Sequence, residues 1–350
     1  MNTTNQVKRV FKNIFITILI PAVVYLLFFV LTRLFGGPNA LKFGVGADLK
    51  TILYNTIYSG FIALAMSYNL TSGRFDFAVG STLLLAVIGG GNFAQKVLLD
   101  RVPDSIAPVV LLLCIVVVGM LCGLVSGIVY ITLKLPPMVS SLGVAMVFEA
   151  IGFSINKGRG ARFLGDFGLL IWAKPLYSAI LMAVVLVILI YLLNFTKFGY
   201  DCRSLRTGQK NAVEVGVNEN INSVACYIIA GAMMACAGAV LLSKSGMVSP
   251  DTGLSSSSYM MSAFLPMFIG QAMAPYSDRN IGTVIGAFCQ ACLTSGLVYL
   301  GCSSSLKTVV DGVVVLLFLV YTSNSYKVGL HKMWRDKKSA ALAQLAAAQK

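Results

Sequence analysis

Long uncharged, apolar runs alternate with short polar segments along most of the chain, and this pattern predicts a bundle of membrane-spanning helices. A helix needs about 20 apolar residues to cross a bilayer core about 30 Å thick, and we count about ten runs that approach or exceed that length. We therefore expect an all-α integral membrane protein. The runs cover residues 14–32, 51–70, 77–95, 105–133, 135–156, 176–195, 221–243, 254–277, 280–300 and 308–322.

The largest polar interruption, residues 196–220, is called the central segment below. It carries Lys197, Arg203, Arg206 and Lys210 between two sets of apolar runs, so we expect it to project from the bilayer towards a partner. We divide the chain into an N-terminal segment (1–13), a single transmembrane domain (14–326) that contains the central segment, and a basic tail (327–350). The tail suits the headgroup layer of a lipid membrane.

Composition supports a membrane protein. Of the 350 residues, 57% are hydrophobic and only 11% are charged, whereas a soluble domain has about 25% charged residues. The net charge of +14 does not indicate nucleic-acid binding, because the basic residues lie at the ends of the apolar runs, as membrane topology requires. More of the basic residues fall on the side of the membrane that holds the N-terminus, and cytoplasmic segments carry the excess of Lys and Arg. We therefore place both termini and the central segment in the cytoplasm.

Motifs for chemistry are missing from the sequence. It has no phosphate-binding loop of the form G-x-x-x-x-G-K-[ST]. The single histidine, His331, lies in the tail, and Cys289 and Cys292 fall inside an apolar run, where close helix packing explains them. We expect no catalytic, cofactor-binding or metal-binding residue and no enzymatic activity in this chain.

Two acidic residues interrupt this apolar background. Glu149 lies in the middle of the run 135–156, where a carboxylate must face the protein interior or a water-filled pathway. Its role is either functional, as a substrate contact or gate, or structural, as a buried polar contact between helices. Asp76 lies beside Arg74, and a turn stitched by these two residues is as reasonable as a functional role. Glycine stripes (Gly119, Gly123 and Gly127; Gly282 and Gly286) predict close helix packing.

Four ordered segments carry a resemblance to a known family. They are residues 73–81 (GRFDFAVGS), 137–143 (PMVSSLG), 194–218, and 281–287 (IGTVIGA). Together they resemble the permease subunit of bacterial ATP-binding-cassette (ABC) importers, in particular the ribose/galactose-type sugar permeases, over residues 12–325. The resemblance implies the ABC importer permease fold in the bacterial inner membrane.

The resemblance also implies partners. These are a cytoplasmic ABC ATPase that binds ATP and magnesium, a second permease subunit, identical or related, and an extracytoplasmic substrate-binding protein. A short helix around residues 207–216 would dock on the ATPase. The expected coupling residues are Arg203, Arg206, Thr207, Gly208, Gln209, Lys210, Asn211, Ala212 and Gly216.

Three positions or segments depart from the family pattern. Arg74 replaces a small residue in the first motif, and residues 206–212 and 275–279 differ from the glycine-rich sequences usual there. Both of the latter segments are expected to face the cytoplasm. Their joint change indicates a divergent branch of the family with its own matching ATPase.

Candidate pathway residues follow from position, since they are polar or aromatic side chains within or beside apolar runs. They suit a sugar, although helix packing explains each of them too. We expect a monosaccharide or a similar small polar solute; a branched-chain amino acid or a nucleoside is the alternative, and a stand-alone channel or ion-coupled carrier is a less favoured one. The candidates are Asn55, Tyr58, Asp76, Glu149, Tyr259, Ser262 and Phe268.

Overall fold

A computed structural model describes residues 3–36, 43–71, 74–98, 101–163, 168–303, 305–317, 319–320 and 324. The chain divides into two compact units, residues 1–301 and 302–350. The described part of the first unit contains twelve α-helices: α1 Thr3–Phe35, α2 Ala47–Thr71, α3 Val79–Phe93, α4 Ala107–Leu133, α5 Pro137–Ser154, α6 Pro175–Phe195, α7 Lys197–Thr207, α8 Gln209–Glu214, α9 Glu219–Ser245, α10 Ser257–Met261, α11 Phe264–Met273 and α12 Arg279–Tyr299.

The apolar runs form helices because a backbone in lipid must satisfy its own hydrogen bonds, and an α-helix does so within one segment. Within the described residues, six helices are long and apolar enough to cross a membrane. These are α1, α4, α9 and α12, the helical stretch that begins with α5, and α6. The other four runs also contain helix, but α3 has 15 residues before it continues as a π-helix over Ala94–Leu98.

The predicted single helix over 254–277 was wrong. The structure breaks this run into α10 and α11, which are separated at Ser262 and Ala263. Pro266 accounts for the break, because proline has no N–H to donate to the carbonyl of residue 262 and its ring crowds that carbonyl. This part of the bundle therefore contains a discontinuous helix.

Helices α2, α3, α4 and α9 surround the main buried core, which contains Phe61, Leu64, Leu83, Ile115 and Met234. The glycine stripes pack as expected. A Cβ at Gly123 would overlap the carbonyl oxygen of Tyr227, so α4 and α9 are in backbone contact there. Such small-residue contacts are how helices approach each other in lipid.

The two ends of the first unit differ. At one end, Ala161 and Arg162 form a two-residue strand, β1, which pairs antiparallel with β2 (Met247–Val248). At the other end lie α7 and α8, beside the C-terminus of α6 and the N-terminus of α9. Below, these are called the β end and the α7 end.

The second unit is described only in part. Residues 305–317 are helical, which agrees with the start of the last predicted run, 308–322. The basic tail, 327–350, lies outside the described residues, as does Gly73 of the first motif. Side chains of residues 3–10 are likewise outside the description.

Candidate functional site

The central segment folds as two short helices rather than as a loop. The expected short helix around residues 207–216 is confirmed by α8, and α7 was not foreseen. Gly199, Cys202, Leu205 and Ala212 are buried, while the polar residues between them point outwards. Of the expected coupling residues, Ala212 is buried and Gly208 is half-buried; the exposed ones are Arg203, Arg206, Thr207, Gln209, Lys210, Asn211 and Gly216.

Helix α7 is hydrogen-bonded to the C-terminal end of α6 and to the N-terminal part of α9. The Arg203 guanidinium donates hydrogen bonds to the carbonyl oxygens of Leu193 (2.6 Å) and Gly199 (3.4 Å), and thereby caps the end of α6. The buried Cys202 Sγ lies 3.4 Å from the Asn222 side chain on α9. Movement of α7 would therefore disturb α6 and α9 directly.

A chain of polar contacts leads from α8 into the bundle. The Gln209 amide donates to Glu219 Oε1, and Arg74 Nη2 lies 3.4 Å from the same oxygen. Arg74 is only 2% exposed, and its guanidinium lies over the Tyr130 ring, 5.5 Å from the centroid. Glu219, at the first position of α9, is thus shared between the central segment and a buried arginine.

Asp76 does not pair with Arg74, so the idea that these two residues stitch the turn was wrong. Asp76 instead accepts hydrogen bonds from Asn69 Nδ2 (3.0 Å) and from the Ala78 backbone N–H (2.8 Å). Burial raises the pKa of Asp76 from 3.8 to about 6, although these two hydrogen bonds lower it in part. The carboxyl ties the end of α2 to the start of α3.

A small cavity lies between α7 and the neighbouring helix ends, with a volume of about 120 Å³. Arg206, Asp278 and Arg279 line it, so the two segments that depart from the family pattern, 206–212 and 275–279, meet at this place. Asp278 caps α12 by accepting from Asn280 N (2.9 Å) and also accepts from Asn194 Nδ2 (3.0 Å). Both segments therefore belong to one surface at the α7 end.

Glu149 is buried and holds the discontinuous part of the bundle. Its carboxylate accepts hydrogen bonds from the backbone N–H groups of Leu254 (2.8 Å) and Ser256 (3.2 Å), just before α10. Leu254 has a backbone φ of 64°, a conformation that residues other than glycine rarely adopt. Glu149 thus faces the protein interior as expected, as a tie from α5 to an irregular segment.

Three pathway candidates lie on neighbouring elements in the β-end half of the bundle. Tyr58 and Tyr259 are half-buried and within electrostatic range of each other, and Asn55 is half-buried one turn before Tyr58. Sequence reasoning missed Tyr54, whose ring stacks parallel to Tyr58 at 6.2 Å, and Lys244, whose Nζ lies 3.8 Å from the Tyr54 centroid. The signal for Lys244 was its position directly after the run 221–243.

Of the remaining pathway candidates, Ser262 adjoins this group, and Phe268 and Asp76 contact other residues. Ser262 is exposed and donates to the Tyr259 carbonyl at 2.7 Å. Phe268 stacks on Phe264, which in turn stacks on Phe75. Asp76 lies near the α7 end. Among the residues described, no group of three metal-ligating side chains occurs.

Comparison of the amino-acid sequence with known proteins shows the family to which this chain belongs. Residues 48–319 match a family model described as the permease component of branched-chain amino acid transport systems. The ribose import permease protein of Bacillus subtilis is 26% identical over 277 residues, which is 77% of this chain and 83% of that protein. The fructose import permease protein of Rhizobium meliloti is 24% identical over 312 residues, covering 85% and 84%.

A third relative is the autoinducer 2 import system permease protein of Escherichia coli. It is 27% identical over 307 residues, which is 83% of this chain and 89% of that protein. All three relatives are named as import permeases, and each match covers most of both chains.

Proposed function

We propose that this chain carries a monosaccharide or similar small polar solute into the bacterial cell. The chain belongs to the family described as the permease component of branched-chain amino acid transport systems. It is a multi-pass protein of the bacterial inner membrane and a permease subunit of an ABC importer. Two of the three relatives described above are named for import of a monosaccharide, ribose or fructose, and this observation carries the choice of substrate.

The α7 end is proposed to face the cytoplasm and to receive a separate ABC ATPase, which binds ATP and magnesium. The exposed residues of α7 and α8 would contact this ATPase, while Cys202, Leu205 and Ala212 anchor the two helices on the bundle. Because Arg203 caps α6 and Gln209 contacts Glu219, closure of the ATPase would be transmitted to α6 and α9.

The solute is proposed to pass beside α2 and the discontinuous helix, where Asn55, Tyr58 and Tyr259 offer hydrogen-bonding groups and aromatic faces. Discontinuous helices are a recurrent feature of transporter pathways, because unwound backbone can line a cavity. Glu149 would hold this irregular backbone in place. A second permease subunit and an extracytoplasmic binding protein would complete the importer.

Uptake of labelled solutes tests the choice of substrate. The chain would be expressed together with its ATPase and binding protein in cells that lack their own ribose, fructose and leucine importers. Accumulation of ribose or fructose supports the proposal. Accumulation of leucine alone would favour the second candidate, a branched-chain amino acid importer, which the description of the family model suggests.

A further inference from the structure

Two cysteine thiols meet where the central segment packs on the bundle. Cys202 is on α7 and Cys226 is on α9, and their sulfur atoms lie 3.8 Å apart. Both residues are buried, with exposed fractions of 4% and 1%. Asn222 lies beside the pair, because its Nδ2 is 3.4 Å from Cys202 Sγ and its Oδ1 is 3.7 Å from Cys226 Sγ. The two thiols are therefore held together across a contact between two helices.

The distance between the two sulfur atoms is close to what a disulfide requires. Both cysteines are free thiols. A disulfide bond has a sulfur–sulfur distance of about 2.05 Å, so the two sulfurs must approach each other by roughly 1.8 Å. Rotation about the Cα–Cβ bond, the one side-chain torsion that places a cysteine sulfur, supplies a movement of this size.

Cys202 is the thiol that a small oxidant reaches first. It lines the cavity at the α7 end, whose volume of about 120 Å³ admits a small uncharged molecule such as hydrogen peroxide. The adjacent Cys226 thiol and burial raise the pKa of the Cys202 thiol. Because the thiolate is the form that reacts with peroxide, the pair stays reduced when peroxide is scarce.

We propose that Cys202 and Cys226 are a redox modification site, at which hydrogen peroxide forms a disulfide that ties α7 to α9. In the first step the Cys202 sulfur attacks one peroxide oxygen and the O–O bond breaks. Cys202 becomes a sulfenic acid, and the departing hydroxide takes the thiol proton and leaves as water.

The second step closes the bond between the helices. The Cys226 sulfur attacks the Cys202 sulfur, the S–O bond breaks, and the hydroxyl group leaves as a second water with the Cys226 proton. In total two thiols are oxidised to one disulfide, and one molecule of peroxide is reduced to two of water.

The disulfide would fix the position of the central segment. Helix α7 would no longer be able to shift relative to α9, because a covalent bond replaces a contact between two side chains. The effect on transport rests on the proposed function, in which α7 transmits closure of the ATPase, and there the oxidised importer would stop. Formation of the bond itself requires only this chain.

Peptide mapping of the full-length protein in lipid nanodiscs tests the bond. The protein is treated with hydrogen peroxide, remaining thiols are blocked with N-ethylmaleimide, and trypsin, which cleaves after Lys and Arg, is added without reductant. We expect residues 198–203, which contain Cys202, to be linked to residues 211–244, which contain Cys226. The linked species should be two hydrogen atoms lighter than the sum of the two peptides and should disappear with dithiothreitol.

Matched variants identify the sulfur that is linked, because residues 211–244 also contain Cys236. Cys226→Ser should abolish the linked species, whereas Cys236→Ser, at another buried cysteine of α9, should keep it. The proposal is overturned if the unchanged protein gives no linked species under conditions that fully oxidise added glutathione. It is also overturned if the link persists in Cys226→Ser.

Uptake by proteoliposomes that contain the ATPase and the binding protein tests the effect of the bond. Uptake should fall in proportion to the linked fraction after peroxide and recover with dithiothreitol. Cys202→Ser vesicles should keep their uptake, which controls for oxidation of the partners. Full uptake by the linked protein would show that the bond does not hold α7. Vesicles that fail to transport even when reduced would count against the proposed function and leave the disulfide standing.

Discussion

Arg74 is a buried arginine whose ion pair with Glu219 is unevenly exposed to solvent. Its side chain is 2% exposed, whereas its partner Glu219 is 28% exposed. Among the described residues, its Nε and Nη1 have no hydrogen-bond partner. The pair is therefore asymmetric: loss of Glu219 would strand a buried charge, whereas loss of Arg74 would leave a carboxylate that water can reach.

This asymmetry predicts a ranking of variants. Glu219→Ala should destabilise the protein by about 3 kcal/mol, because the guanidinium remains buried without its carboxylate. Arg74→Met should destabilise it less, and the double variant should be more stable than Glu219→Ala alone. Thermal unfolding of the detergent-solubilised protein measures the order. If Arg74→Met proved the more damaging single change, the guanidinium would not depend on Glu219.

Asp76 predicts a pH dependence of stability. Its pKa is raised to about 6 in the folded protein from the ordinary value of 3.8, so the folded state binds the proton more tightly than the unfolded state. The contribution of Asp76 to stability is thus greatest below about pH 4 and falls as pH rises to about 6, by roughly 3 kcal/mol.

Asp76→Asn should remove this dependence. The buried Asn69 Oδ1 has no hydrogen-bond partner in the described part of the chain, so it can accept from an amide at position 76. Unfolding temperatures between pH 4 and pH 7 would fall for the unchanged protein and stay flatter for the variant. Asp104→Asn, at an exposed position, is the control. A pH profile of Asp76→Asn identical to that of the unchanged protein would show that Asp76 does not titrate in this range.

At the scale of elements, the contact between α4 and α9 depends on glycine. Gly123→Ala places a Cβ against the Tyr227 backbone, which cannot rotate away, so the helices must separate. Overpacking of this kind costs about 1–3 kcal/mol. Gly143→Ala on α5 is a matched control, because nothing lies within 4 Å of its Cβ. Size-exclusion profiles and unfolding temperatures should change for Gly123→Ala only; equal behaviour of both variants would contradict the tight contact.

The joint between α7 and α8 gives a second prediction at this scale. Gly208 has φ of 174° and its N–H donates to the Ser204 carbonyl at 3.3 Å. Proline fixes φ near −65° and has no N–H, so Gly208→Pro should displace α8 while the protein still inserts in the membrane. ATP hydrolysis should continue without uptake. Normal transport by a well-inserted Gly208→Pro variant would show that the segment is only a connector.

The sequence predicted the helices well where hydropathy or glycine spacing alone determines the structure. Uncharged runs of sufficient length became helices, and the glycine stripes identified packing faces, because both follow from lipid as a solvent. The break at Ser262 and Ala263 follows from Pro266, but hydropathy alone does not reveal it. Arg74 and Glu219 are 145 residues apart, so only the folded chain brings them together.

At the scale of the whole molecule, the first unit combines apolar helices suited to lipid with the short polar helices α7 and α8. Six of the described helices meet the length and hydropathy that a membrane requires. The polar contacts of Gln209, Glu219 and Arg74 run from the central segment into the bundle. We therefore expect this chain to change conformation only when a partner protein moves α7 and α8.

Transport by vesicles reconstituted with and without the ATPase shows whether the chain needs a partner to move its solute. The chain, its ATPase and its binding protein would be placed in proteoliposomes, and uptake of labelled ribose or fructose would be measured with ATP or ADP. We expect uptake only when both the ATPase and ATP are present. Uptake at the same rate by vesicles that contain the chain alone would contradict it and would identify a channel or carrier.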